Sequence, residues 1–327
     1  MTAPVRRSHS AAGRVRRLAV PVLVAAVVGG GGFIPAVPSA GAAPAGHGTL
    51  AGGGATGQGV FLTYSDRDLV IDGGTVAAPD FGAPTAEATI DLTGLGSALA
   101  ALGYSPYSDA AGVLNAFGGT ELPVGSVGER SRAKVAGRPP QESAVTVSGS
   151  VGQAKARLVD GPTADASAAL AHAPGTVAVQ AGDARATVTT ASRTADSKVT
   201  VVLRRLRIGE DLQIETVTLT ANALADGGAG VAGATVVVEG VTLRGTPVRL
   251  TPRGLEPAGA APPDLAPLQA AGIEVLSAGE TQAKPGGRQA EARASGPRLR
   301  FRSSDGRLLT IVLGQAVASS TWAPGQG

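Results

Sequence analysis

The sequence predicts a mostly-β protein whose antiparallel ribbons form a sandwich or one long curved sheet, with two or three short helices. Three observations predict it. From Ser143 onward the apolar residues recur mainly with period two, as in strands that bury one face. No aromatic residue stands between Phe117 and Phe301, so the middle of the chain must pack with Val, Leu, Ile and Ala, which suits layered sheets. The segment Val199–Ala221 also pairs with itself residue by residue as a hairpin.

The chain opens with an export signal. Arg6, Arg7, Arg14, Arg16 and Arg17 precede an apolar stretch from Leu18 to Val28, and small residues lead to Ala40-Gly41-Ala42. That order of basic, apolar and A-x-A segments is a secretory signal peptide, expected to be cleaved after Ala42. The pair Arg16-Arg17 leaves both the general and the twin-arginine export routes open. The apolar stretch is broken by Pro21 and falls short of the roughly 20 residues of a spanning helix. Secretion, or residence in the cell envelope, is the expectation. A mature chain without a transmembrane segment is expected with it.

Charge changes once the signal is set apart. The whole chain carries 28 basic and 25 acidic groups, but five arginines and no acid lie in residues 1–42. The basic balance therefore belongs to the signal, and nucleic acid is not an expected partner. There is no cysteine, hence no disulfide framework and no thiolate metal site.

Residues 43–57, rich in Gly and Ala, read as a disordered linker. Residues 58–140 read as an N-terminal β region with short helices, and 141–327 as an antiparallel β domain, the two forming either separate units or one continuous domain. Val60–Ile71 and Ala86–Leu92 read as strands. Leu95, Leu99 and Leu102 have helical spacing, and Ala110–Phe117 reads as a second short helix. Pro123–Glu142, rich in Gly, Pro and Arg, is the expected boundary. Strands follow at Ala144–Gly149 and Ala154–Val159, a weak helix at Asp165–Ala173, and strands again at Thr176–Gln180 and Ala184–Ser192.

With Gly209-Glu210-Asp211 as a turn, Ile208 faces Leu212, Leu206 faces Ile214, Leu203 faces Val217, Val201 faces Leu219 and Val199 faces Ala221. Arg205 faces Glu215. Such pairs contribute roughly 0.2–1 kcal/mol each, and a slip by one residue loses most of them. The apolar side switches phase on both strands at Arg204/Arg205 and Glu215/Thr216. A twisted ribbon whose two halves bury opposite faces would produce this. A second ribbon spans Thr235–Thr251, with a turn at Gly245-Thr246 that sets Leu243 opposite Val248 and Val241 opposite Leu250. Pro263–Ala271 reads as a short helix, Ile273–Leu276 as a strand, and Asp305-Gly306 as the turn joining Arg298–Ser303 to Leu308–Val317.

Candidate chemistry is sparse, and no catalytic, cofactor-binding or metal site is assigned. Gly228-Ala-Gly230-Val-Ala-Gly233 matches the dinucleotide fingerprint, but a strand-like run, Ala234–Val238, follows where a helix is required. Ser131-Arg-Ala-Lys134 matches S-x-x-K without the partner motifs of penicillin-binding enzymes. Asp66, Asp68 and Asp72 beside Gly73 depart from calcium-loop spacing. His172 has no second ligand or G-x-S-x-G nucleophile at motif spacing. Arg298, Arg300 and Arg302 alternate and project from one face, either as a strip for an anionic polymer or head group, or as stems lying over aliphatic surface. Tyr104-Ser-Pro-Tyr107 reads either as a recognition loop or as a packed turn, and the packed turn is the expectation.

The pattern Val238-Glu-Gly-Val-Thr-Leu-Arg-Gly-Thr-Pro-Val248, followed by Leu309-Thr-Ile-Val-Leu-Gly-Gln-Ala-Val-Ala318, resembles exported actinobacterial proteins of the choice-of-anchor type. The resemblance covers the last third of the chain. It implies a β-rich secreted or surface protein, without carrying over any functional residue. The expected function is therefore that of a non-enzymatic envelope or extracellular protein acting through its surface. The alternative is a carrier holding an apolar or lipid ligand in an aliphatic cleft between sheets.

Overall fold

The computed structural model describes residues 50–64, 68–71, 74–77, 81–102, 132–137, 143–149, 152–159, 162–172, 177–191, 193–251, 253–259, 263–302 and 308–324. They all fall within one compact unit, Val37–Gly327. The expected second helix at Ala110–Phe117, the Asp305-Gly306 turn and the signal segment lie outside the described residues.

Two nine-stranded antiparallel sheets make up the fold. The first contains β1 (Leu50–Tyr64), β4 (Phe81–Ile90), β5 (Gly96–Ala101), β6 (Arg132–Gly137), β16 (Ile273–Ser277), β17 (Glu280–Lys284), β18 (Gln289–Ser295), β19 (Arg298–Arg302) and β20 (Leu308–Ala323). Its long strand β20 pairs along one edge with β1 and along the other with β19 and then β18. The second sheet runs in sequence order through β7 (Ser143–Gly149), β8 (Gly152–Val159), β9 (Thr163–Leu170), β10 (Val177–Ala191), β11 (Thr194–Ile208), β12 (Leu212–Ala225), β13 (Val231–Leu243), β14 (Thr246–Thr251) and β15 (Gly254–Pro257). A small hairpin of β2 (Asp68–Ile71) and β3 (Gly74–Ala77) stands apart. The sandwich expectation holds, with fewer helices: α1 (Ala266–Ala270) is the one helix among the described residues.

Two of the three expected helices that fall on described residues are strands, while the third, Pro263–Ala271, contains α1. Leu95–Leu102 contains β5, where Ala98 and Ala100 turn into the core. Asp165–Ala173 overlaps β9, where Ala164, Ala166 and Ala168 are buried in alternation. Alanine favours helix intrinsically, but these small side chains alternate beneath a second sheet, and packing decides the outcome. The Gly/Ala stretch 43–57 is likewise no linker from Leu50 on, since Leu50–Gly57 forms the first half of β1.

That half of β1 packs closely against the second sheet. A Cβ at Gly57 would sit 2.9 Å from Val199 Cγ1 and 3.1 Å from Val201 Cγ2. The glycines there reflect close approach of two backbones. The surrounding core is aliphatic and continuous, from Ala55, Ala86 and Ala88 to Val201, Leu203 and Leu219.

The ribbon Val199–Ala221 has the expected register at every named apolar pair. Its phase switch has another cause than burial of opposite faces. The ladder skips one residue on each of four neighbouring strands, Gln180, Arg205, Glu215 and Gly240. Arg205 has φ +50° and Gly240 φ +64°. Each strand thus spends two successive residues outward, then resumes alternation one residue out of step. Because all four do so at one level, their mutual register survives, and Leu206, Ile208, Leu212 and Ile214 join the same core as Val199–Leu203. The first sheet has a matching row, Gly314, Gly59 and Pro84, at which its ladders also skip.

The second ribbon turns earlier than expected. Thr246 pairs with Leu243 and Pro247 with Thr242, so the turn is Arg244-Gly245. Both residues have positive φ, +49° and +77°, as a two-residue type I′ turn requires. Arg244 is held there by its own N–H and its Nε, which donate to the backbone oxygen and to Oδ1 of Asp211 at 2.8 and 2.7 Å.

Candidate functional site

The outer face of the second sheet gathers most of the described polar chemistry. Its positions follow from the ladders. Arg157 on β8, Asp165 on β9 and Thr187 on β10 stand side by side. Asp165 is only 7% exposed, because its neighbours close over it. Arg157 Nε donates to Oδ2 at 2.9 Å and Thr187 Oγ1 to Oδ1 at 2.8 Å, with Arg185 Nε 3.6 Å from Oδ1. A carboxylate so covered needs its cations, since burying it alone is costly.

The rest of the face repeats the theme. Asp183 binds Arg204, and Asp196 binds Lys198. Arg205 reaches both Glu215 at 3.5 Å and Gln180 at 3.1 Å. One row across the strands reads Ser167, Arg185, Thr200, Thr220, Thr235, and the hydroxyls of Thr220 and Thr235 lie 2.7 Å apart. Asp165, Asp183, Asp196 and Glu215 on this face thus meet cations or hydroxyls inside the protein. Chemically, the arrangement offers hydroxyls and paired charges to a partner.

A second polar cluster ties the sheets together inside the core. Ser197 Oγ on β11 donates to the Ser319 carbonyl on β20 at 2.7 Å. Ser320 Oγ lies 3.0 Å from Ser197 Oγ and 2.8 Å from the Ala223 carbonyl. Ser197 and Ser320 are 0% and 1% exposed, so the cluster is structural.

The structure separates the motif residues. Gly228–Gly233 is the β12–β13 loop and the start of β13; Asp226 Oδ1 accepts from Gly228 N and Gly230 N at 2.8 and 3.2 Å, and a strand follows. Lys134 lies exposed on strand β6; its motif partner Ser131 is outside the described residues. Asp68 starts β2, with Asp66 and Asp72 outside the described residues. His172 is exposed beyond the end of β9. Arg298 and Arg300 share a face, opposite Val312 and Thr310, while Leu299 is the residue that meets Ile311. Arg300 Nη1 donates to Glu274 at 3.2 Å. Arg302 closes β19, and Tyr104 and Tyr107 lie outside the described residues. Among the described residues, no three His, Cys, Asp or Glu side chains group as metal ligands, and no helix is long and apolar enough to cross a membrane.

The Asp165 hub was hidden in the sequence by the helical reading of its segment. Read with period two, Thr163–Leu170 sends Asp165 outward, between a basic strand and a threonine strand, and the signal is then plain.

Fold and site together define an antiparallel β-sandwich with ion pairs and hydroxyls gathered on one outer face. Compared with known proteins, the chain matches no family model and no curated protein.

Proposed function

We propose that the chain is exported and acts, without catalysis, through its surface, either in the cell envelope or outside the cell. One observation carries the reading: at Gly53, Gly57 and Gly96, side chains of one sheet touch the backbone of the other. Besides Gly57, a Cβ at Gly53 would meet Ser197 Oγ at 2.4 Å, and one at Gly96 would meet Leu158 Cδ2 at 2.9 Å. Sheets in such contact leave no room at these points for a chain of methylenes. A carrier of apolar or lipid ligands would need a cavity of several hundred Å³. The recognition surface is then the outside, where hydroxyls and paired charges are presented. The N-terminal segment supports export, and the resemblance to choice-of-anchor proteins fits a surface role.

The test is native mass spectrometry of the protein recovered from the medium and envelope of an expressing bacterium. The expected species begins at Ala43 and carries no lipid. A co-purifying lipid mass would return the carrier reading, and a chain retained in the cytoplasm would end the export reading.

A further inference from the structure

Among the described residues, strand β7 is a free edge of the second sheet: it pairs with β8 alone and ends the strand order opposite β15. A free edge presents unpaired N–H and C=O groups, and proteins that stay apart guard such edges with charge, proline or brevity. The other edges among the described residues carry at least one such guard, including the β13 flank that β14 leaves unpaired, which holds Glu239 and the Gly240 kink. β6 contains Lys134, β16 Glu274, β17 Glu280 and Lys284, and four-residue β15 contains Glu256 and Pro257. β7 has none: its seven residues read Ser-Ala-Val-Thr-Val-Ser-Gly.

Its side chains add a second argument. Val145 and Val147 stand opposite Ala156 and Ala154, which are buried in the core, so the two valines lie on the core face. Val147 is partly buried there. Val145 is 39% exposed, an inward-facing valine with its outer flank uncovered. The segment is also symmetric about Thr146. Antiparallel pairing of two copies around that residue would set Val145 against Val147 of the second copy and Thr146 against itself. Aliphatic and Thr–Thr pairs are favourable cross-strand neighbours, and no like charges meet.

We propose that β7 is a self-association edge: two copies of this chain pair antiparallel through Ser143–Gly149, joining their second sheets into one and covering Val145. The pairing does not rest on the function proposed above.

The absence of cysteine makes the test direct. Opposed Cα atoms in an antiparallel pair are about 4.5–5.5 Å apart, within the roughly 4.4–6.8 Å a disulfide spans. The purified full chain should sediment as a dimer at micromolar concentration. T146C should crosslink completely under mild oxidation, whereas Q282C, at the centre of β17, should not. T146K, which sets two ammonium groups face to face at an exposed position, should weaken the dimer by roughly tenfold or more with an unchanged melting temperature. A monomeric wild type, a dissociation constant that T146K leaves unchanged, or T146C crosslinking no better than Q282C would each overturn the proposal.

Discussion

Gly314 of β20 lies directly beneath Leu219 of β12: a Cβ at 314 would fall 2.3 Å from Leu219 Cδ1. The glycine also has φ +98° and sits in the row where the first sheet's ladders skip. Contact between sheets and the bend within one sheet therefore depend on the same residue.

Gly314→Ala should accordingly be among the most damaging small substitutions. Overpacking costs about 1–3 kcal/mol, and a left-handed backbone with a Cβ adds about 1–2 kcal/mol. We expect a loss of about 2–5 kcal/mol in urea unfolding. Truncating Leu219 to Ala in the same chain should not restore stability, because the backbone strain remains and a fully buried leucine is lost. An alanine variant as stable as wild type would show that β20 is not bent here.

The row of skipped residues in the second sheet makes an opposite pair of expectations. Arg205→Gly removes a side chain from φ +50° and breaks a solvent-exposed ion pair, worth about 0–1 kcal/mol, so stability should stay within about 1 kcal/mol of wild type. Gly240→Ala sets a Cβ 2.5 Å from Glu215 Cβ at φ +64°, and should cost about 1–3 kcal/mol. Denaturant midpoints of the two variants give the comparison. Equal losses would mean that the kink is not shared across the strands.

How far the fold could be read from the sequence depended on what marked each strand. Val199–Ala221 was legible because large aliphatic residues alternate on both of its arms, and a wrong register would expose them. The phase switch at Arg205 was visible too, but its meaning was not. A bent sheet and a ribbon buried on opposite faces leave the same apolar pattern, and only backbone angles separate them. Leu50–Gly57, β5 and β9 were misread for a common reason. Their core residues are Gly and Ala, whose patterns serve a linker, a helix or a tightly stacked strand equally well, and the choice is made by a partner sheet distant in sequence. The Asp165 hub fell with β9, and the Ser197–Ser320 bridge joins residues 123 apart, which no local pattern reveals.

The Asp165 hub should hold three strands together at an otherwise exposed face. Asp165→Ala leaves Arg157 and Thr187 without their acceptor and should cost about 1–3 kcal/mol. Asp165→Asn keeps an oxygen for the Thr187 hydroxyl and should cost less. Amide hydrogen exchange offers a local readout, with faster exchange expected in β8, β9 and the facing part of β10 in the alanine variant. Uniform acceleration across both sheets would mean that the hub has no local role.

The serine bridge between the layers should behave as a coupled unit. Ser197→Ala removes the donor to the Ser319 carbonyl, and Ser320→Ala removes the hydroxyl that lies between Ser197 Oγ and the Ala223 carbonyl. Each substitution in this dry core should cost about 1–3 kcal/mol, the penalty of a buried polar group left unsatisfied. Groups in one hydrogen-bonded network couple by about 0.5–3 kcal/mol, so the double variant should lose less than the sum of the single losses. Strict additivity in a double-mutant cycle would show that the two hydroxyls act separately, and the polar link between the sheets would consist of two independent bonds, Ser197–Ser319 and Ser320–Ala223.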